Sequence, residues 1–120
     1  MTDWTDREPI YVQLAQSVLE RILRGTLAEG DAVPSVRQVA SQERINPLTV
    51  SRGYQLLADD GLLEKRRGLG MFVAPGAREK ALARERRHFL TEEWPRMRER
   101  IRLLGLSPVE LLERDENETP

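Results

Sequence analysis

Two helices with coded starts stand either side of a tight turn, a basic hairpin tipped with glycines follows, and an arginine- and glutamate-rich stretch comes last. Those three observations predict a mainly α fold with a small β-hairpin. It is a winged helix-turn-helix domain over residues 1–75 with a short C-terminal helical dimerisation extension over 76–120. The helix pair lies in V-P-S-V-R-Q-V-A (33–40) and I-N-P-L-T-V-S-R-G-Y-Q-L-L (45–57), and the hairpin in G-L-L-E-K-R-R-G-L-G-M-F-V (61–73).

Each element has its own local signal. Met1 to Glu8 is polar and reads as a loose lead-in. Pro9 then opens the first helix at a first-turn position, where a missing N–H costs nothing. Tyr11, Leu14, Ala15, Val18 and Ile22 follow at helical spacing, and Gly25 stops the helix. Thr26 to Pro34 is a connector. Ser35 begins the second helix, with Gln38 at capping-box distance. Val36, Val39 and Ala40 face inward, and Glu43 falls on the same stripe where an apolar residue is expected. Asn46 caps the third helix and Pro47 takes its first position. Its inner side is Val50, Gly53, Tyr54 and Leu57; its outer side is Leu48, Ser51, Arg52 and Gln55.

Asp60-Gly61 ends that helix. Leu62–Arg66 and Met71–Ala74 pair around Arg67-Gly68-Leu69-Gly70 as the hairpin, and Pro75-Gly76 marks the domain boundary. Beyond it, Leu90, Trp94, Met97, Ile101 and Leu104 step by four, three, four and three, a short coiled-coil-like seam. The seam serves either as intramolecular core or as a subunit interface. Few other apolar partners exist in the extension, which favours the interface. Pro95 interrupts the run and either bends one helix or starts another. After Gly105, Ser107-Pro108-Val109-Glu110 opens a short last helix, and Asp115 to Pro120 is an acidic tail.

At 120 residues, one ordinary domain with an appendage is expected. No apolar run approaches the roughly 20 residues that cross a bilayer, and no cationic-then-apolar leader is visible. Cytoplasmic residence without membrane attachment follows as the simplest expectation. The chain has no cysteine, which excludes disulfide frameworks and thiolate metal sites. Its one histidine, His88, lies among charged helix residues, and acid pairs such as Asp59-Asp60 and Glu92-Glu93 read as helix surface. No catalytic residue, metal or cofactor is therefore expected. The glycines of the hairpin lack the lysine and hydroxyl that would make them a nucleotide-binding loop.

A net charge of −1 does not advertise a nucleic-acid binder, but the placement of charge decides the matter. Arg37, Arg44 and Arg52 face only Glu43 between residues 34 and 52, and Lys65, Arg66 and Arg67 face only Glu64 in the hairpin. Arginine offers a rigid, permanently charged fork for phosphate oxygens or the acceptor edge of guanine. Arg52, midway along the third helix, suits a base or backbone contact, and Arg37, in the first turn of the second, suits phosphates. Asn46, Thr49 and Ser51 lie near the unpaired amides and positive end of the third helix, where a phosphate is favoured. Arg66, Arg67, Gly68 and Gly70 form a wing able to run close to the backbone. Ser35, Pro47 and Gln55, on the same elements, complete the expected DNA-binding set.

These residues carry a resemblance. P-I-Y-V-Q-L, G-T-L-A-E-G-D-A-V-P-S-V-R-Q-V-A, I-N-P-L-T-V-S-R-G-Y and R-R-G-L-G-M-F-V stand in the order and spacing of the GntR family of bacterial transcription regulators, from Pro9 to Val73. N-P-x-T-V followed by a tyrosine, with a brief helical extension, resembles the YtrA branch. The resemblance implies a homodimeric repressor of an inverted-repeat operator in double-stranded DNA, often controlling its own operon and a neighbouring transporter gene. It also implies DNA contact at Arg37, Asn46, Thr49, Ser51, Arg52, Arg67 and Gly68, and dimer contact by the C-terminal helices. Three positions depart from the pattern: Glu43 for a leucine, Pro47 for the arginine of other branches, and Met71 for a threonine. A small-molecule effector at the dimer interface is left open. The rival reading is a winged-helix protein-interaction module without specific DNA binding.

Overall fold

The computed structural model describes residues 4–114, so the acidic tail lies outside the described residues. The elements are α1 (Ile10–Arg24), α2 (Val36–Glu43), α3 (Pro47–Asp59), β1 (Leu63–Arg66), β2 (Gly70–Val73), α4 (Ala77–His88), α5 (Trp94–Leu103) and α6 (Pro108–Glu113). Two compact units result, Met1–Ala83 and Arg84–Pro120.

The first unit has one core, built from Leu14, Val18 and Ile22 of α1, Val39 of α2, Val50, Tyr54 and Leu57 of α3, Leu62, Leu63 and Val73 around the hairpin, and Ala77 and Ala81 of α4. Burying each large apolar side chain contributes roughly 1.5–3 kcal/mol. Gly53 lets α3 lie close on α1: a Cβ there would meet the Tyr11 carbonyl oxygen at 2.9 Å and Leu14 Cδ2 at 3.2 Å.

The caps work as the residues suggest. Ser35 Oγ accepts from the Gln38 amide at 3.0 Å, and Asn46 Oδ1 from the Leu48 amide at 2.8 Å. Pro9, however, precedes α1: its φ of −55° and ψ of 146° are extended, while its carbonyl accepts the first helical bonds. The described part of the lead-in, residues 4–8, is also tied down. Gln13 Nε2 donates to the carbonyls of Thr5 and Glu8, both at 2.8 Å, its Oε1 accepts from the Thr5 amide at 3.0 Å, and Trp4 packs on the core. A polar stretch is held because a glutamine one turn into α1 satisfies its backbone.

The connector does more than connect. Gly30 and Val33 donate to the Val73 and Met71 carbonyls at 2.9 and 3.0 Å, and Val73 donates to Asp31 at 2.9 Å, so Ala32 pairs opposite Phe72. The connector thus lies antiparallel to β2 and covers its edge. The hairpin is one residue tighter than expected, pairing Leu63 with Val73 through Arg66 with Gly70. Its tip closes through the Leu69 amide to the Arg66 carbonyl at 2.9 Å, with Gly68 at φ 78°, the conformation a type II turn demands at that place.

Between α4 and α5, Phe89–Glu93 form a π-helical stretch. The Trp94 amide donates five residues back, to the Phe89 carbonyl. The cause is Pro95, whose ring would collide with the Thr91 carbonyl and which offers no N–H to it. Widening the turn absorbs both defects, so residues 77–103 stay helical without a break. The same widening brings the Phe89 and Trp94 rings to 6.5 Å between centroids. Among the described residues of the second unit none is buried. Leu90, Met97 and Leu104 are exposed, and Trp94 and Ile101 half-buried.

Candidate nucleic-acid interface

The outer face of α3 is as expected: Leu48, Ser51, Arg52 and Gln55 are all exposed, and Thr49 is half-buried. Arg52 is held. Its guanidinium carbon stands 4.1 Å from the centroid of the Tyr11 ring. Stacking occupies the flat face of the guanidinium and leaves the in-plane N–H fork pointing to solvent acceptors. Tyr11, which its spacing puts on the stripe of α1 with Leu14 and Val18, is therefore a half-exposed platform for Arg52. Gln55 Nε2 donates to Asp59 Oδ1 at 2.8 Å, which holds its amide along the helix.

Behind this face, Tyr54 fixes α3 against the entrance to α2. Its hydroxyl donates to the Pro34 carbonyl at 2.6 Å, and the side chain is 2% exposed. Burial pushes the phenol up to about 12, partly offset by the positive charge of Arg21. The bond fixes the residue just before the Ser35 cap, so the start of α2 is held against the middle of α3.

A cleft of about 300 Å³ opens where α2, α3 and the wing meet. Ser35, Ser51, Gln55 and Gly70 of the expected set line it, together with Lys65 and Leu69. No carboxylate is among its lining residues, and Lys65 supplies its charge. In the sequence Lys65 is only one member of a basic cluster. Strand alternation was the signal: Lys65 pairs with Met71 on the face of Leu63, towards α3, while Glu64 and Arg66 point to the other face.

Arg66 is accordingly engaged elsewhere. Its guanidinium lies 4.1 Å from the Phe72 ring centroid and 3.2 Å from Glu64 Oε1. Arg67 is exposed at the turn between Arg66 and Gly68, and Arg37 is exposed in the first turn of α2. Arg37 on α2, Asn46 at the cap of α3, Arg52 on α3 and Arg67 in the wing are all exposed, and none of them lines the cleft. Glu43, half-buried, lines a separate cavity of about 150 Å³ whose wall is mixed, with Ser17, Arg21 and Gln42 beside Trp4, Leu14, Val18 and Val39.

Comparison with known proteins identifies the family. The family model for bacterial regulatory proteins of the gntR family matches residues 10–73. Uncharacterized HTH-type transcriptional regulator YhcF of Bacillus subtilis is 37% identical over 107 residues, covering 88% of this chain and 86% of that protein. HTH-type transcriptional repressor YtrA of Bacillus subtilis is 40% identical over 70 residues, 58% of this chain and 54% of its own. Among solved structures, YtrA from Sulfolobus acidocaldarius, a GntR-family transcription factor, superposes with a TM-score of 0.59 at 27% identity over 84% of this chain and 94% of that one. No helix among the described residues is long and apolar enough to cross a membrane. The chain belongs to the GntR family of bacterial regulatory proteins, which are DNA-binding transcription regulators and not enzymes.

Proposed function

We propose that this regulator is a dimeric repressor that binds an inverted-repeat operator. Residues 1–75 act as the DNA-binding domain and residues 76–120 as the dimerisation extension. The observation that supports the reading is the carboxylate-free cleft between α2, α3 and the wing, lined by Ser35, Ser51, Gln55 and Lys65, on elements that also expose Arg37, Arg52 and Arg67 to solvent. In each half-site α3 enters the major groove and the wing follows the flanking phosphates, with half-sites roughly 10 bp apart centre to centre. Occupancy blocks a promoter sterically. Ser35, Pro47 and Asn46 present the helix starts, Thr49, Ser51, Arg52 and Gln55 meet the groove, and Arg66, Arg67, Gly68 and Gly70 follow the backbone.

Dimerisation through Leu90, Trp94, Met97, Ile101 and Leu104 is supported by their exposure or partial exposure in the single chain, where none of the described residues of that unit is buried. Control of its own operon together with a transporter gene, and a small-molecule effector, complete the proposal on the strength of the family alone. The test is selection of bound duplexes from a random DNA library by the full chain, with sedimentation of the complex. An enriched palindrome bound by two chains is expected; enrichment of an asymmetric site by one chain overturns the dimeric reading.

A further inference from the structure

Leu48 stands out on the surface just described. It occupies the second position of α3, on the stripe shared with Ser51, Arg52 and Gln55, and it is 71% exposed. Its amide is taken by the Asn46 side chain at 2.8 Å, so the turn that carries it is rigid. Pro47 beside it is also exposed, giving the start of the helix a small apolar tip ahead of polar residues. A single leucine and a proline are too small a patch to dock a protein. They are the right size to meet one base.

The N-terminal residues of a helix lying in the major groove are the ones that reach base edges. Of the groups displayed there, only the C5-methyl of thymine is apolar. A leucine can neither donate to nor accept from the other base edges and would leave them without their water partners. We infer that Leu48 reads a thymine methyl in each half-site, making it a specificity-determining residue of the operator complex. This rests on the operator-binding reading above.

The inference separates from that reading by experiment. The probe is the duplex enriched from a random library, in which each thymine is replaced in turn by deoxyuridine, removing one methyl and no hydrogen-bonding group. Affinities are measured for the parent chain and for Leu48→Ala, which, being exposed, is checked for an unchanged circular dichroism spectrum. At one thymine per half-site the parent is expected to lose about fourfold, the worth of one buried methyl. Leu48→Ala is expected to bind both duplexes equally. Equal loss in parent and variant at every thymine overturns the role of Leu48 while leaving the operator reading intact. Failure to enrich any sequence brings down both.

Discussion

At the scale of single residues, the site is governed by what each polar group is made to do by its neighbours. Arg52 is pre-positioned by Tyr11, so two substitutions should differ in kind. Arg52→Ala is expected to weaken operator binding by roughly tenfold or more and to relax preference at one base pair, as loss of a bidentate base contact does. Tyr11→Leu keeps the charge but removes the ring beneath it; a smaller loss with preference retained is expected by fluorescence anisotropy. Tyr54 makes a prediction about pH. Its phenol ionises near 10.0 when unfolded and about 12 when folded. The folded chain therefore holds the proton more tightly. The stabilisation is complete below pH 10, declines as pH rises, and is gone above 12, a loss of about 3 kcal/mol. In urea titrations Tyr54→Phe should start less stable by about 1 kcal/mol through the lost bond to Pro34. It should then show a flatter alkaline decline, and a parallel decline would remove Tyr54 as the cause.

At the scale of elements, the starts of helices are well built and one ending is strained. Arg44 caps α2 at φ 56° and ψ 48°, a left-handed conformation that costs a side-chain-bearing residue about 1 kcal/mol. Arg44→Gly should raise the melting temperature by several degrees, since glycine adopts that backbone freely; an unchanged or lower value would mean the arginine contributes more than its strain costs. The close contact of α3 with α1 predicts the opposite sign: Gly53→Ala should destabilise by roughly 1–3 kcal/mol in the same measurement, because the neighbour on one side is backbone. The wing is an electrostatic element. Arg67→Ala is expected to weaken all duplexes about evenly and to reduce the slope of log affinity against log salt by about 1, whereas Arg66→Ala, removing a side chain already bound to Glu64 and Phe72, should do less.

At the scale of the whole molecule, one unit has a core and the other, among the described residues, has none. A unit none of whose described residues is buried gains stability by covering its apolar seam. Ile101→Asp and Leu104→Asp place a charge in that seam, and sedimentation should find monomers that still fold in the first unit. A dimer persisting in both variants would move the interface elsewhere. Monomers should also bind the operator far more weakly than the parent, because the second half-site contact becomes bimolecular.

The sequence by itself determined the starts of the second, third and last helices from their caps, most of the inward stripes of the first three, that a glycine-tipped basic hairpin follows, and which family the arrangement resembles. Caps, prolines and periodicities are local signals, written within a turn or two of where they act. Tertiary structure alone decided the rest. It made Tyr11 a platform, turned Lys65 into the cleft and Arg66 out of it, laid the connector along β2, and joined Tyr54 to Pro34 across 20 residues of chain. It also resolved the choice left at Pro95 in favour of a widened, continuous helix. Each of these is a relation between residues far apart in sequence, or a balance between a local defect and its surroundings. Such relations come into being only when the core closes and brings the partners together.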